Sequence, residues 1–273
     1  MKYGISSDAR PQATLLLTAA IISVVLWFIP FAEILTYPFR IFVTFIHEGG
    51  HALAAVLTGN SVESLSIATN ASGETYTSTG GTISQMLVSS AGYVGSMAFG
   101  GFLLVLIRKA IAARIVLLGS AALVFGLTLI YGLIKPITSG LASSATLFTV
   151  LAGSLLTLGL VAVARYAKPK VATFFVSFLA VQCVLNALLD LKTVFFLSSP
   201  FAPSVPTDAV NMAAATGIPA LFWSVLWIAL SLGILAITMR LYISGKKKQF
   251  QLDTGLDQVP LFPTTLHETQ NLH

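Results

Sequence analysis

Residues 37–58 read YPFRIFVTFIHEGGHALAAVLT, and this stretch decides the class of the protein. It has the length and apolar content of a membrane helix, which needs roughly 20 residues, yet His47, Glu48 and His51 stand in its interior. A charged side chain at such a depth costs about 2.5–3.5 kcal/mol on insertion scales and needs partners. In an α-helix residues four apart share a face, so His47 and His51 present two imidazoles to one zinc ion while Glu48 reaches a metal-bound water as general base. With the His and Glu content of this chain, such a pattern arises by chance in roughly one sequence in a thousand. A bound zinc brings the pKa of its water toward about 7 and polarises a carbonyl, which suits peptide hydrolysis without a covalent intermediate. The plainer alternative is a buried polar cluster bonded to neighbouring helices, or a proton path. Gly49 and Gly50 each cost a helix interior about 1 kcal/mol relative to Ala. They point to close approach by substrate backbone or by another helix, and small-residue packing between membrane helices accounts for them equally well.

The rest of the chain agrees with a bilayer. Of 273 residues 56% are apolar and 9% charged, against about a quarter charged in soluble domains. Seven candidate spans follow: 14–35, 37–58, 85–107, 115–134, 146–164, 171–197 and 219–240. The first, preceded by Lys2 and Arg10, lacks a small-x-small cleavage site and is kept as a membrane segment rather than a signal peptide. The expected fold is an all-α polytopic membrane protein of six to seven transmembrane helices, with residues 1–240 as the membrane domain and 241–273 as a soluble, disordered tail. Residues 59–84, rich in Ser, Thr and Gly, place Val62, Leu65 and Ile67 before Asn70-Ala71-Ser72-Gly73 and Tyr76 after it, which reads as a small β-hairpin. Residues 198–217 carry Pro200, Pro203 and Pro206 and read as an external loop. Cys183 is the single cysteine, so no disulfide framework exists.

A net charge of +5 raises nucleic acid as a partner, but the basic residues fall in short clusters between apolar runs, and membrane orientation explains them better. Arg108, Lys109 and Arg114, then Arg165, Lys168 and Lys170, then Lys246 to Lys248 mark cytoplasmic linkers. Residues 59–84 and 198–217, which contain no Lys or Arg, fall outside. Lys135 is an exception, and so is the amino terminus, which makes the first segment a candidate re-entrant or interfacial piece.

Two histidines need a third protein ligand, and Asp190 is the one carboxylate deep in a later span. At about 1.5 Å per residue it lies roughly 12 Å from the helix end near Ser198, and His51 lies roughly 10 Å from the end near Thr58. The topology makes those helices parallel, so Asp190 is level with the histidines. Pairing of Asp190 with another polar group is the alternative. Asn186, one turn earlier, either orients that aspartate or binds substrate backbone, or serves as helix glue. Asp208 suits the N-cap of a helix running to Thr216 better than it suits a metal. His267-Glu268 sits in the polar tail with no apolar periodicity and is set aside.

Phe45 to Leu53, with the Thr58-Gly59 turn after it, resembles the zinc helix of the site-2 protease class of intramembrane zinc metalloproteases, and in particular its peptidase M50B-like branch. Ala91-Gly92-Tyr93-Val94-Gly95-Ser96 is similar to the small-residue motif of the following helix, and Asn186 to Asp190 to the segment with the third ligand. Thr207-Asp208-Ala209, Trp223 and Trp227 resemble the carboxyl-terminal signature. Better-known members place the aspartate in Leu-Asp-Gly, whereas Asp190 is flanked by Leu189 and Leu191. The resemblance implies a helical bundle with a sunken zinc site and a hairpin beside it, a membrane protein as substrate, and a bacterial cell membrane as location. The rival classes are a cation or proton transporter using the same cluster, and an inactive scaffold. A proton relay needs a chain of ionisable groups through the bilayer, and only this cluster and Asp190 are present. Glu48 counts against the scaffold, since structure alone does not require a general base.

Overall fold

Helices α1 (Arg10–Leu26) and α2 (Glu33–Leu57) are followed by strands β1 (Val62–Ile67) and β2 (Gly73–Thr77) and then by α3 (Thr82–Arg108). Next come α4 (Ala113–Leu127), a π-helical stretch (Thr128–Ile134), and α5 (Lys135–Thr138). Then follow α6 (Ser144–Tyr166), α7 (Pro169–Leu197), α8 (Asp208–Thr216) and α9 (Ala220–Ile243). This is a computed structural model, which describes residues 10–26, 28–78, 80–108, 112–199, 201 and 205–243. The tail expected at 241–273 lies, beyond residue 243, outside them, as do His267 and Glu268. Among the described residues five helices are long and apolar enough to cross a membrane, and Leu16–Leu26 forms a shorter apolar one. The chain is an all-α polytopic membrane protein with one two-stranded antiparallel sheet.

Two expected spans and one expected loop depart from their bounds, and α2, expected as a span over 37–58, is not among the five long apolar helices because its charged and polar residues lower its mean hydropathy. The first, expected over 14–35, breaks after Leu26, and α2 begins at Glu33. Pro30 lacks an N–H and disfavours helix at the residue before it, and Phe31 turns the chain with φ 65°. The span expected over 115–134 runs on through α5 to Thr138 by way of the π-helical stretch. Pro136 has no N–H to return to the preceding turn, and the widened turn brings Gly132 against Thr149 and the Leu65 carbonyl. In the loop expected over 198–217, the last half forms α8.

The hairpin is not a linker beyond the helix ends; it folds back along α2. Tyr37 donates from its hydroxyl to the Thr69 carbonyl at 2.6 Å, Arg40 to the Asn70 carbonyl at 3.4 Å, and Thr44 to the Ala71 carbonyl at 2.8 Å. Thr75 of β2 answers with a 2.7 Å hydrogen bond to Glu48 Oε2. Residues 37, 40, 44 and 48 lie about one turn apart on one face, so that face closes on the hairpin like a zipper. Asn70 Oδ1 accepts from the Ser72 N–H and hydroxyl at the turn, and Ala71 follows with φ 66°. Leu65 and Ile67 are fully buried with Phe42 and Phe45 in the main core.

Non-helical backbone at membrane depth persists only where protein or a watered cavity satisfies it. Here Thr149 of α6 accepts from the Ile67 N–H at 2.7 Å while its own hydroxyl donates to the Ala145 carbonyl. Ser139 donates to Glu63 at 2.6 Å; this bond and the one from Ser61 hold the Glu63 carboxyl below its usual range. Thr149→Val removes the acceptor and strands a buried N–H. We expect it to cost about 1–3 kcal/mol, seen as a lower unfolding midpoint in detergent, with the helical circular dichroism signal retained.

Lipid gives helices no hydrophobic reason to associate, so close contact must come from small residues and polar bonds. Helix α3 shows this: it packs against α2, α7, α8 and α9. A Cβ at Gly50 of α2 would strike the Ala91 carbonyl of α3, which accounts for a glycine there on packing alone. Gly49, half a turn round α2 from the histidines, abuts the Leu127 side chain.

Candidate metal centre

His47 and His51 project from adjacent turns of α2 with Nε2 atoms 3.0 Å apart. His51 Nδ1 lies 2.7 Å from the Val88 carbonyl, which can only accept. Nδ1 therefore carries the proton, and Nε2 offers its lone pair to the site, the usual outer-shell device for a metal-binding histidine. On α3, Gly92 faces both rings; a Cβ there would fall onto the Nε2 atoms of His47 and His51. The space between the imidazoles thus depends on a glycine that the sequence shows within Ala91-Gly92-Tyr93.

The third group comes from α8. Thr207 caps that helix by accepting from the Val210 N–H at 3.3 Å, so the expected capping role falls to Thr207 and leaves the Asp208 side chain free. Ala209 and Met212, one turn apart and both fully buried, seat α8 among Tyr93, Leu191, Trp223 and Trp227. Trp223 Nε1 donates to Thr216 at 3.2 Å and ties α8 to α9. So held, Asp208 Oδ2 stands 3.7 Å from His47 Nε2 and 3.6 Å from His51 Nε2. Burial alone would raise the Asp208 carboxyl, but the adjacent His51 and His47 imidazoles outweigh it and hold it below the usual carboxylate range.

These donors suit a metal. A circle through the three atoms, with sides of 3.0, 3.7 and 3.6 Å, has a radius of about 2.0 Å, matching Zn–N and Zn–O bonds of about 2.0–2.2 Å. Two imidazoles and one carboxylate form a donor set of the catalytic kind, with a fourth position left over. Among the described residues, His47, His51 and Asp208 are the group of three or more ligand side chains close enough to hold one ion.

Glu48 is buried, 5% exposed. Its Oε2 accepts from Thr75, and the missing side chain at Gly73 leaves room for Oε1. Nothing about Thr75 stands out in the sequence, because its role exists only once β2 lies on α2.

Asp190 is not in the cluster. It is exposed on α7 and makes no ion pair among the described residues. Asn186 donates its amide to the Gln182 carbonyl at 2.8 Å and to Gln182 Oε1 at 3.1 Å, and Gln182 donates to Ser23 of α1 at 3.1 Å. The Asn186 amide nitrogen is thus spent on a polar chain joining α7 to α1. Gly49 and Gly50 line an apolar cavity of about 280 Å³ with Ile46, Leu53 and Tyr131.

A model of the Peptidase M50B-like family matches residues 15–238, a range that takes in every group of the centre. No curated protein and no solved structure matches the chain.

Proposed function

The chain belongs to the Peptidase M50B-like family, and we propose that it is an intramembrane zinc endopeptidase acting on membrane-anchored polypeptides. The observation that carries this reading is the convergence of two histidine nitrogens and the Asp208 carboxylate beside a buried glutamate. His47, His51 and Asp208 would hold the zinc, which when bound supplies a water of lowered pKa and polarises the scissile carbonyl. Asp190 stays outside this ligand set.

Glu48 is the general base. Thr75 pins Oε2, so Oε1 takes the proton and later returns it to the leaving amine. Burial of Glu48 and His51, with His47 half-buried, limits competing contact with bulk water. For substrate, β1 is flanked by α6 and the π-helical stretch, whereas β2 packs on α2. The outer edge of β2 therefore offers main-chain groups to an extended segment, beside the carboxylate that would act on it.

Detergent-purified protein is expected to carry about one zinc per chain, since three protein ligands and one open position describe a single catalytic site. Elemental analysis checks this, and a His47→Ala, His51→Ala double variant should hold essentially none. Full zinc content in that variant would overturn the site.

A further inference from the structure

We propose that strand β2, through Thr75 and Gly73, is the positioning element of Glu48, so that the hairpin rather than α2 decides where the carboxyl stands. This rests on the reading of Glu48 as general base. The Thr75 hydroxyl lies 2.7 Å from Glu48 Oε2 and 3.3 Å from the Glu48 main-chain oxygen, so both acceptors belong to one residue. Gly73, two residues earlier and therefore on the same face of the strand, abuts the other oxygen. A Cβ there would stand 2.5 Å from Oε1 and 2.6 Å from Cγ. One oxygen of the carboxyl is bonded and the other confined, while Glu74 and Tyr76 face outward and are exposed. The strand is itself fixed to the bundle at these two positions: Thr75 pairs with Leu65 and Gly73 with Ile67, both fully buried in the main core.

Docking of the hairpin does not require this arrangement. Tyr37, Arg40 and Thr44 donate from α2 to main-chain carbonyls at the turn, which a turn of any sequence supplies. Thr75 donates in the opposite direction, from a hairpin side chain to the carboxyl of α2. The base does require it. Glu48 carries its carboxyl on several rotatable bonds, and a base acts only within about 2.6–3.2 Å of the proton that it takes. A donor at one oxygen and a wall at the other select one arrangement, and a displacement of about 1 Å costs on the order of 10²-fold in rate.

The bond is read without substrate on full-length, metal-free protein in detergent. Thr75→Val, which keeps the shape and removes the donor, is expected to lower the unfolding midpoint, and to add little when Glu48 is already Ala. The positioning is read on a membrane-anchored reporter in liposomes. There Thr75→Val should lower kcat about 10²-fold with KM and zinc content unchanged, and Thr75→Ser, which restores the hydroxyl, should recover most of the rate. Gly73→Ala should also lower kcat, by pushing the carboxyl aside. Additive midpoints, or native kcat in Thr75→Val beside an inactive Glu48→Gln, overturn the inference alone. Thr75→Ser as slow as Thr75→Val, or zinc lost from either, shows a general packing role and overturns it too. A zinc-loaded wild type that leaves the reporter intact, or Glu48→Gln as fast as wild type, removes the reading of Glu48 and the inference with it.

Discussion

Glu48→Gln is expected to keep both fold and zinc while hydrolysis falls by at least about 10²–10⁴-fold, the range supplied by a positioned general base. The amide has the same shape, and its oxygen still accepts from Thr75, so the zipper between α2 and the hairpin survives. It cannot take a proton from a metal-bound water. Glu48 is not among the three groups that could hold an ion, so metal content is expected to be unchanged. Cleavage of a membrane-anchored reporter in liposomes, with elemental analysis of the same preparation, separates the two effects. A variant that cleaves at the native rate removes Glu48 from the mechanism.

Asp208→Ala is expected to weaken zinc binding by more than about 100-fold, beyond what an outer-shell partner contributes, while Asp190→Ala changes it by a few-fold at most. Loss of Asp208 leaves two imidazoles and no protein anion at the ion. Asp190 is exposed on α7 and stands outside the convergent group, acting on the site through charge alone. Competitive zinc titration of the two variants decides between them. The reverse order of sensitivity would restore Asp190 as ligand and require α8 to swing away from the histidines.

Much of this was legible in the order of residues. Apolar runs announce membrane helices because a bilayer of fixed thickness demands a fixed length of hydrophobic helix. His47, Glu48 and His51 announce their chemistry because the turn of a single helix brings them together, with no help from the rest of the chain. The hairpin shows through its turn residues for the same local reason. A family likeness carried by these stretches is matched by the family model over residues 15–238.

The third candidate ligand was a different kind of problem. Depth along the helix axis, the one coordinate that counting residues supplies, favours Asp190, since it fixes height in the membrane but not which way a side chain faces. Asp208 belongs to a segment that reads as an external loop. It reaches the histidines because Ala209 and Met212 bury against α3, α7 and α9, and because Thr207 takes the cap. Gly73, Thr75 and Gly92 likewise gain their roles from contacts between elements distant in the chain. Sequence alone determined the class and the juxtaposition of His47, Glu48 and His51, all products of local periodicity; which carboxylate stands beside the histidines, and the shell around it, were decided by tertiary packing, which no spacing along one helix encodes.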